Sequence, residues 1–166
     1  MRTLALSESG ALRLEKEPTD IVELALDLAG AFQGQAMAGN VQLRVESATD
    51  LPPIPIDAVR IREVLANLMT NALQHTPPGG TIHIRVAGTD QGAVSVDVSD
   101  NGTGMSVEEA NRAFERFHKG SESRGFGLGL AIARNLVVAH GGEIQLTSAP
   151  GQGTKIRFTL PRDRAE

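Results

Sequence analysis

The sequence predicts an α/β two-layer sandwich. Three stretches carry apolar residues at helical spacing, shorter stretches alternate apolar with polar residues, and Gly- or Pro-containing turns separate them. Strands grouped with three long helices on one side give such a sandwich, with no internal repeat and no obvious linker. At 166 residues the chain fits one domain that buries its own core.

In chain order, residues 1–11 are small and polar around Leu4 and Leu6, a short helical end broken at Ser9-Gly10. Leu12 to Lys16 alternates and suits a short strand, and Pro18-Thr19-Asp20 offers helix-start chemistry. Ile21, Leu24, Ala25, Leu28, Ala31 and Phe32 place a helix up to about Ala38, stopped at Gly39-Asn40. Val41, Leu43 and Val45 give a strand, after which Pro52, Pro53 and Pro55 keep the chain extended and loop-like.

From Asp57 a second helix shows a wide apolar stripe, Val59, Ile61, Val64, Leu65, Leu68, Met69, Ala72 and Leu73, and ends before Pro77. Two strands, Ile82 to Val86 and Val94 to Val98, are joined by a turn around Thr89 to Gly92, and the second runs into Asp100-Asn101-Gly102-Thr103-Gly104. Residues 106–124 hold short helical pieces and a polar run. A third helix begins near Gly127 and ends at His140-Gly141-Gly142, and strands Glu143 to Thr147 and Thr154 to Leu160 flank Pro150-Gly151-Gln152-Gly153.

Composition narrows the function. A net charge of −4 argues against nucleic acid as a partner, because phosphate-backbone affinity comes from clustered Lys and Arg. With no Trp or Tyr and five Phe, stacking platforms for single strands are poorly supplied. The absence of Cys excludes disulfides and thiolate zinc sites and fits a reducing compartment. No run approaches the length of a membrane span, so a soluble chain is expected.

Four stretches carry chemistry. Gly125-Phe126-Gly127-Leu128-Gly129 opens onto a helix, where bare N–H groups and the helix dipole suit phosphate, although such spacing also serves a plain turn. Asn67 and Asn71 project from one helix face within an apolar run; each alone could cap a loop, but together they favour a polar ligand, and an Asn oxygen suits Mg²⁺. Asp100 either organises an Asx turn or accepts from a ligand N–H, with Gly102 and Gly104 letting the backbone pass close to a flat ring. Arg116, Lys119 and Arg124 lie in a polar run that is either a solvated loop or a lid reaching a polyphosphate, anchored by Phe114 and Phe117. His83, in a strand, and His140, at a helix end where a protonated imidazole complements the dipole, read as structural.

Together and in this order, these stretches resemble the catalytic ATP-binding domain of sensor histidine kinases, within the superfamily that includes gyrase, Hsp90-type chaperones and MutL-type repair ATPases. Leu65 to Thr76 is similar to the N box, Asp100 to Met105 to the first glycine box, Phe114 to Phe117 to the F box, and Gly125 to Leu130 to the second glycine box. Gly153-Thr154 with Phe158, Leu160 and Pro161 matches the family's close, and coverage runs from about residue 12 to 161, with a polar tail at 162–166.

The resemblance implies a Bergerat fold, a mixed and mostly antiparallel sheet against three long helices with an ATP lid, and ATP and Mg²⁺ as cofactors. It implies Asn71 as Mg²⁺ ligand, Asn67 as a polar partner one turn earlier, and Asp100 as acceptor for the adenine amino group, supported by Thr154 through water. Gly102, Gly104 and Met105 belong to that loop. His75 stands where an aromatic ring often stacks on adenine and Gln74 where a Lys often touches phosphate. Gly125, Gly127, Leu128 and Gly129 would give N–H groups to the phosphates, with Arg116, Lys119 and Arg124 as lid cations. Phe126 replaces the usual Ser or Thr, the lid is short and Gln74 lacks a charge, which together imply modest ATP affinity.

Hydrolytic relatives carry a Glu where Asn67 stands, so phosphoryl transfer to a protein histidine is expected over water attack. None of His75, His83, His118 or His140 has the acceptor's context, and residues 1–11 are similar to the tail of an acceptor hairpin. A separate histidine phosphoacceptor domain and a response regulator are therefore the expected partners, with this piece monomeric, making no direct membrane contact, and cytoplasmic within a membrane-bound sensor. Two rival readings are a related serine kinase of the anti-sigma type and a non-catalytic nucleotide-sensing module.

Overall fold

The computed structural model describes residues 13–115 and 129–162. The elements are β1 (Glu17–Thr19), α1 (Ile21–Ala38), β2 (Gln42–Ser47), β3 (Ile54–Ile56), α2 (Ala58–His75), β4 (Thr81–Gly88), β5 (Val94–Asp100), α3 (Val107–Asn111), α4 (Gly129–Ala139), β6 (Glu143–Ser148) and β7 (Thr154–Leu160). A five-stranded sheet runs in the order β2-β4-β5-β7-β6, parallel only between β2 and β4. The expected two-layer sandwich with a mixed, mostly antiparallel sheet is therefore what forms.

One face of that sheet buries Leu43, Ile84, Val96, Val98, Ile156 and Phe158 in a single core with α1, α2 and α4. The helices contribute Ile21, Leu28, Leu65, Leu68, Leu136 and Val137, the apolar stripes that helical spacing places on one side. The opposite face is polar. There Asp97 lies directly across from Arg157, whose guanidinium donates to the two carboxylate oxygens at 2.6 and 3.0 Å, which pins the β5–β7 register.

The amino-terminal strand differs from expectation. Residues 13–16 are irregular, and the strand is Glu17–Thr19, paired antiparallel with Ile54–Ile56 in the segment read as a loop. Pro18 sits opposite Pro55. Neither has an N–H to donate, so a two-stranded ribbon accommodates them where a central strand would not. Asp20 and Asp57 then start the two long helices: Asp20 accepts from the N–H groups of Val22 and Glu23, and Asp57 from that of Arg60.

Asp57 also ties distant segments together. Its Oδ2 accepts from Glu15 N–H at 2.9 Å, and its own N–H donates to His140 Nε2 at 3.1 Å. His140 Nδ1 lies 2.8 Å from the Leu136 carbonyl and must donate there, so the ring is neutral. This corrects the expected protonated imidazole: burial, aided by Lys16, pushes His140 below its ordinary range against the Leu136 bond and the Asp57 charge. In the window below the ordinary histidine value the unfolded chain binds more protons, so stability falls as pH drops through about 6.5. Unfolding midpoints measured from pH 7.5 to 5 will therefore decline less steeply for His140→Gln than for the parent, and equal slopes would refute this role.

Candidate functional site

The sheet's register builds the site. On the core face, Ile84, Val98, Ile156 and Leu146 share one rung across β4, β5, β7 and β6. The next core-face rung toward the end of β5 is Ile82, Asp100, Thr154 and Ser148. An apolar ladder thus gives way to three polar side chains at one end of the sheet, where the Asp100 loop begins.

Asp100 Oδ1 accepts from Gly102 N–H at 2.9 Å, so the Asx turn forms. A carboxylate has about four acceptor positions, and the Gly102 and Thr154 N–H groups that face it do not exhaust them. Burial pushes the Asp100 carboxyl above its ordinary range, opposed by the Gly102 N–H, the His75 ring and the Thr154 N–H.

The glycines of this loop serve the protein's own packing. A Cβ on Gly102 would collide with the His75 carbonyl, and one on Gly104, at φ +74°, with that of Ala149. Thr103 N–H donates to His75 O at 3.0 Å and its carbonyl accepts from Gly151 N–H at 2.7 Å. The loop is thereby clamped between the end of α2 and the β6–β7 turn, a demand met before any flat ring approaches.

On α2, Asn67 and Asn71 share a face as expected, but they differ in partners. Asn67 Nδ2 donates to the Gly129 carbonyl at 3.1 Å, joining α2 to the first turn of α4. No described residue hydrogen-bonds the half-buried Asn71 side chain, while its carbonyl accepts from His75 Nδ1 at 3.0 Å. Gln74 is exposed. Among the described residues no cluster of three or more acidic or His side chains could hold a metal by itself. Arg116, Lys119, Arg124, Gly125, Gly127 and Leu128 lie outside the described residues, as do residues 1–11 and most of the 162–166 tail.

Ser148 is the residue that sequence reasoning missed. Its Oγ donates to the Gly153 carbonyl at 2.8 Å, accepts from Met105 N–H at 2.9 Å and lies 2.8 Å from Thr154 Oγ1. A signal was present: β6 alternates Ile144, Leu146, Ser148, putting a polar residue at core parity, as Asp100 follows Val98 and Thr154 precedes Ile156. Met105 and Thr154 are both buried beneath this junction.

The chain has known relatives. A family model described as histidine kinase-, DNA gyrase B-, and HSP90-like ATPase matches residues 56–164. The alginate biosynthesis sensor protein KinB of Pseudomonas aeruginosa is 35% identical over 155 residues, which is 93% of this chain and 26% of KinB. Sporulation kinase E of Bacillus subtilis is 36% identical over 153 residues, 92% of this chain and 20% of that protein. The chain thus spans about a quarter or less of these two relatives. Among solved structures, full-length ShkA in complex with AMPPNP is similar with a TM-score of 0.89 at 30% identity, covering 98% of this chain and 34% of ShkA. Among the described residues no helix is long and apolar enough to cross a membrane.

Proposed function

Because the chain belongs to the histidine kinase-, DNA gyrase B-, and HSP90-like ATPase family, we propose that it is the ATP-binding catalytic domain of a protein-histidine kinase, transferring the γ-phosphoryl group of ATP to a histidine on a phosphoacceptor domain. The observation that carries this reading is the Asn67 to Gly129 bond. It draws the Asn face of α2 against Gly129, which is both the last glycine of the second glycine stretch and the first residue of α4.

Each residue then has a task. The remaining acceptor capacity of Asp100 suits the adenine amino group, with Thr154 in register beside it. The N–H groups of Gly125, Gly127, Leu128 and Gly129 would hold phosphate oxygens, and Arg116, Lys119 and Arg124 are the candidate lid cations. Asn71 fits Mg²⁺, because its amide carries no hydrogen bond among the described residues and such an ion draws the rest of its shell from water and substrate phosphates. A Mg²⁺ ion held there by Asn71 would supply positive charge to offset that of the substrate phosphates.

In the transfer, the acceptor imidazole nitrogen forms a bond to the γ-phosphorus while the bond to the bridging oxygen of ADP breaks. The domain's contribution is alignment and charge neutralisation. Asn67 lacks the basicity to activate water, and its amide is engaged with Gly129, which favours a protein nucleophile over hydrolysis. A response regulator would take the phosphoryl group onward from the acceptor.

The test mixes the chain with a separately prepared acceptor hairpin and γ-labelled ATP. Acid-labile, alkali-stable label on the hairpin is expected. Acid-stable label would identify a serine kinase instead, and ATP binding without any transfer would leave only a nucleotide-sensing module.

A further inference from the structure

The hydrogens at Ser148 can be assigned from its partners alone. A carbonyl only accepts and a backbone N–H only donates, so Ser148 Oγ gives its one hydrogen to Gly153 O and takes one from Met105 N. Its remaining capacity is a single lone pair. The 2.8 Å contact with Thr154 Oγ1 therefore forms only if Thr154 is the donor. Three segments fix this arrangement: Met105 after the clamped glycine loop, Gly153 at φ +80° in the β6–β7 turn, and Thr154 at the start of β7.

The consequence falls on the neighbouring strand. With its hydrogen committed to Ser148, Thr154 Oγ1 offers only lone pairs elsewhere, and directly across from it stands Asp100, whose carboxylate also only accepts. A ligand at this rung meets acceptors and no hydroxyl donor. A water bridging Thr154 and Asp100 changes nothing, since both its hydrogens would point at those acceptors and its lone pairs at the ligand.

We propose that Ser148 is a specificity-determining positioning residue, which locks the Thr154 hydroxyl as an acceptor so that the site takes a base bearing an amino group and rejects one bearing a carbonyl at the same place. For a purine nucleotide this selects adenine over guanine. The proposal deepens the ATP reading above and rests on it. Ser148 touches no substrate in this scheme; it acts through Thr154 and Met105.

Calorimetric affinities for ATP and GTP test it through their ratio, which a merely structural role would leave alone. In Ser148→Ala, Thr154 loses its acceptor, the hydroxyl hydrogen turns free, and the preference for ATP over GTP is expected to fall about tenfold, the scale of one hydrogen bond. Ser148→Thr keeps the oxygen and should restore the ratio. Thr154→Val removes the locked acceptor with little change of shape and should lower the ratio even if Ser148→Ala does not fold. Both nucleotides weakening equally in Ser148→Ala, or an unchanged ratio in Thr154→Val, overturns the proposal while leaving ATP binding standing. A parent chain that binds neither nucleotide overturns both readings.

Discussion

Asp100→Asn is expected to weaken ATP binding by roughly ten- to hundredfold while the protein stays folded. A hydrogen bond to a charged acceptor contributes about 1.5–3 kcal/mol, and Asn presents an amide in its place. Asn can still accept from Gly102 N–H, so the turn that Asp100 organises survives. The stability effect has the opposite sign. Burial raises the Asp100 carboxyl, so in the window above its ordinary value the folded chain holds more protons than the unfolded one. Stability then falls as pH rises through that window, and above it the buried charge is a constant penalty. Asp100→Asn removes that penalty and should unfold at the same or a higher temperature at neutral pH. Calorimetric titration with ATP, paired with thermal unfolding, reads both. Unchanged affinity would refute the adenine assignment, and collapse of the fold would mean that Asp100 is chiefly structural.

Gly153→Ala is expected to cost the fold on the order of 3 kcal/mol or more, a drop of roughly 6–12 °C in unfolding temperature for a chain of this size. Two causes add. Gly153 has φ +80°, which an L side chain rarely adopts, and a Cβ there would collide with the Asp100 carbonyl and come within 2.9 Å of Asn101 Cα. Both are backbone atoms of the strand end and loop that form the site, so neither can swing aside. Gly151, also at positive φ in the same turn but with nothing near its Cβ, supplies the comparison: Gly151→Ala should pay only the conformational part, about 1 kcal/mol. Equal losses at the two positions would show that the close approach to Asp100 carries no weight.

Much of this was legible because it rests on local rules. Asp20 and Asp57 as helix caps, Gly39 and the Thr89–Gly92 turn act through residues one to four positions away, and their elements formed where propensity and periodicity placed them. Asn67, Asn71 and Asp100 stood out as polar residues at apolar positions, a signal that survives without coordinates. The amino-terminal strand went astray for a non-local reason: alternation at Leu12 to Lys16 is only a capacity to pair, and the partner, Ile54–Ile56, lay opposite Glu17–Thr19 instead. His140 went astray likewise, because a helix end invites a proton only while it faces water, and this one faces the N–H of Asp57, 83 residues away.

The sequence by itself determined the layers, the two long helices that follow Asp20 and Asp57, the five strands of the main sheet and the identity of the polar residues that crowd one end of the domain. Only the tertiary structure decided which of them meet. It joined Asn67 to Gly129, set Asp100, Thr154 and Ser148 on one rung of four strands, and fixed the direction in which the Thr154 hydroxyl donates. The reason is that hydrogen-bond polarity depends on counting every partner of every atom, and those partners come from segments that only sheet register brings together.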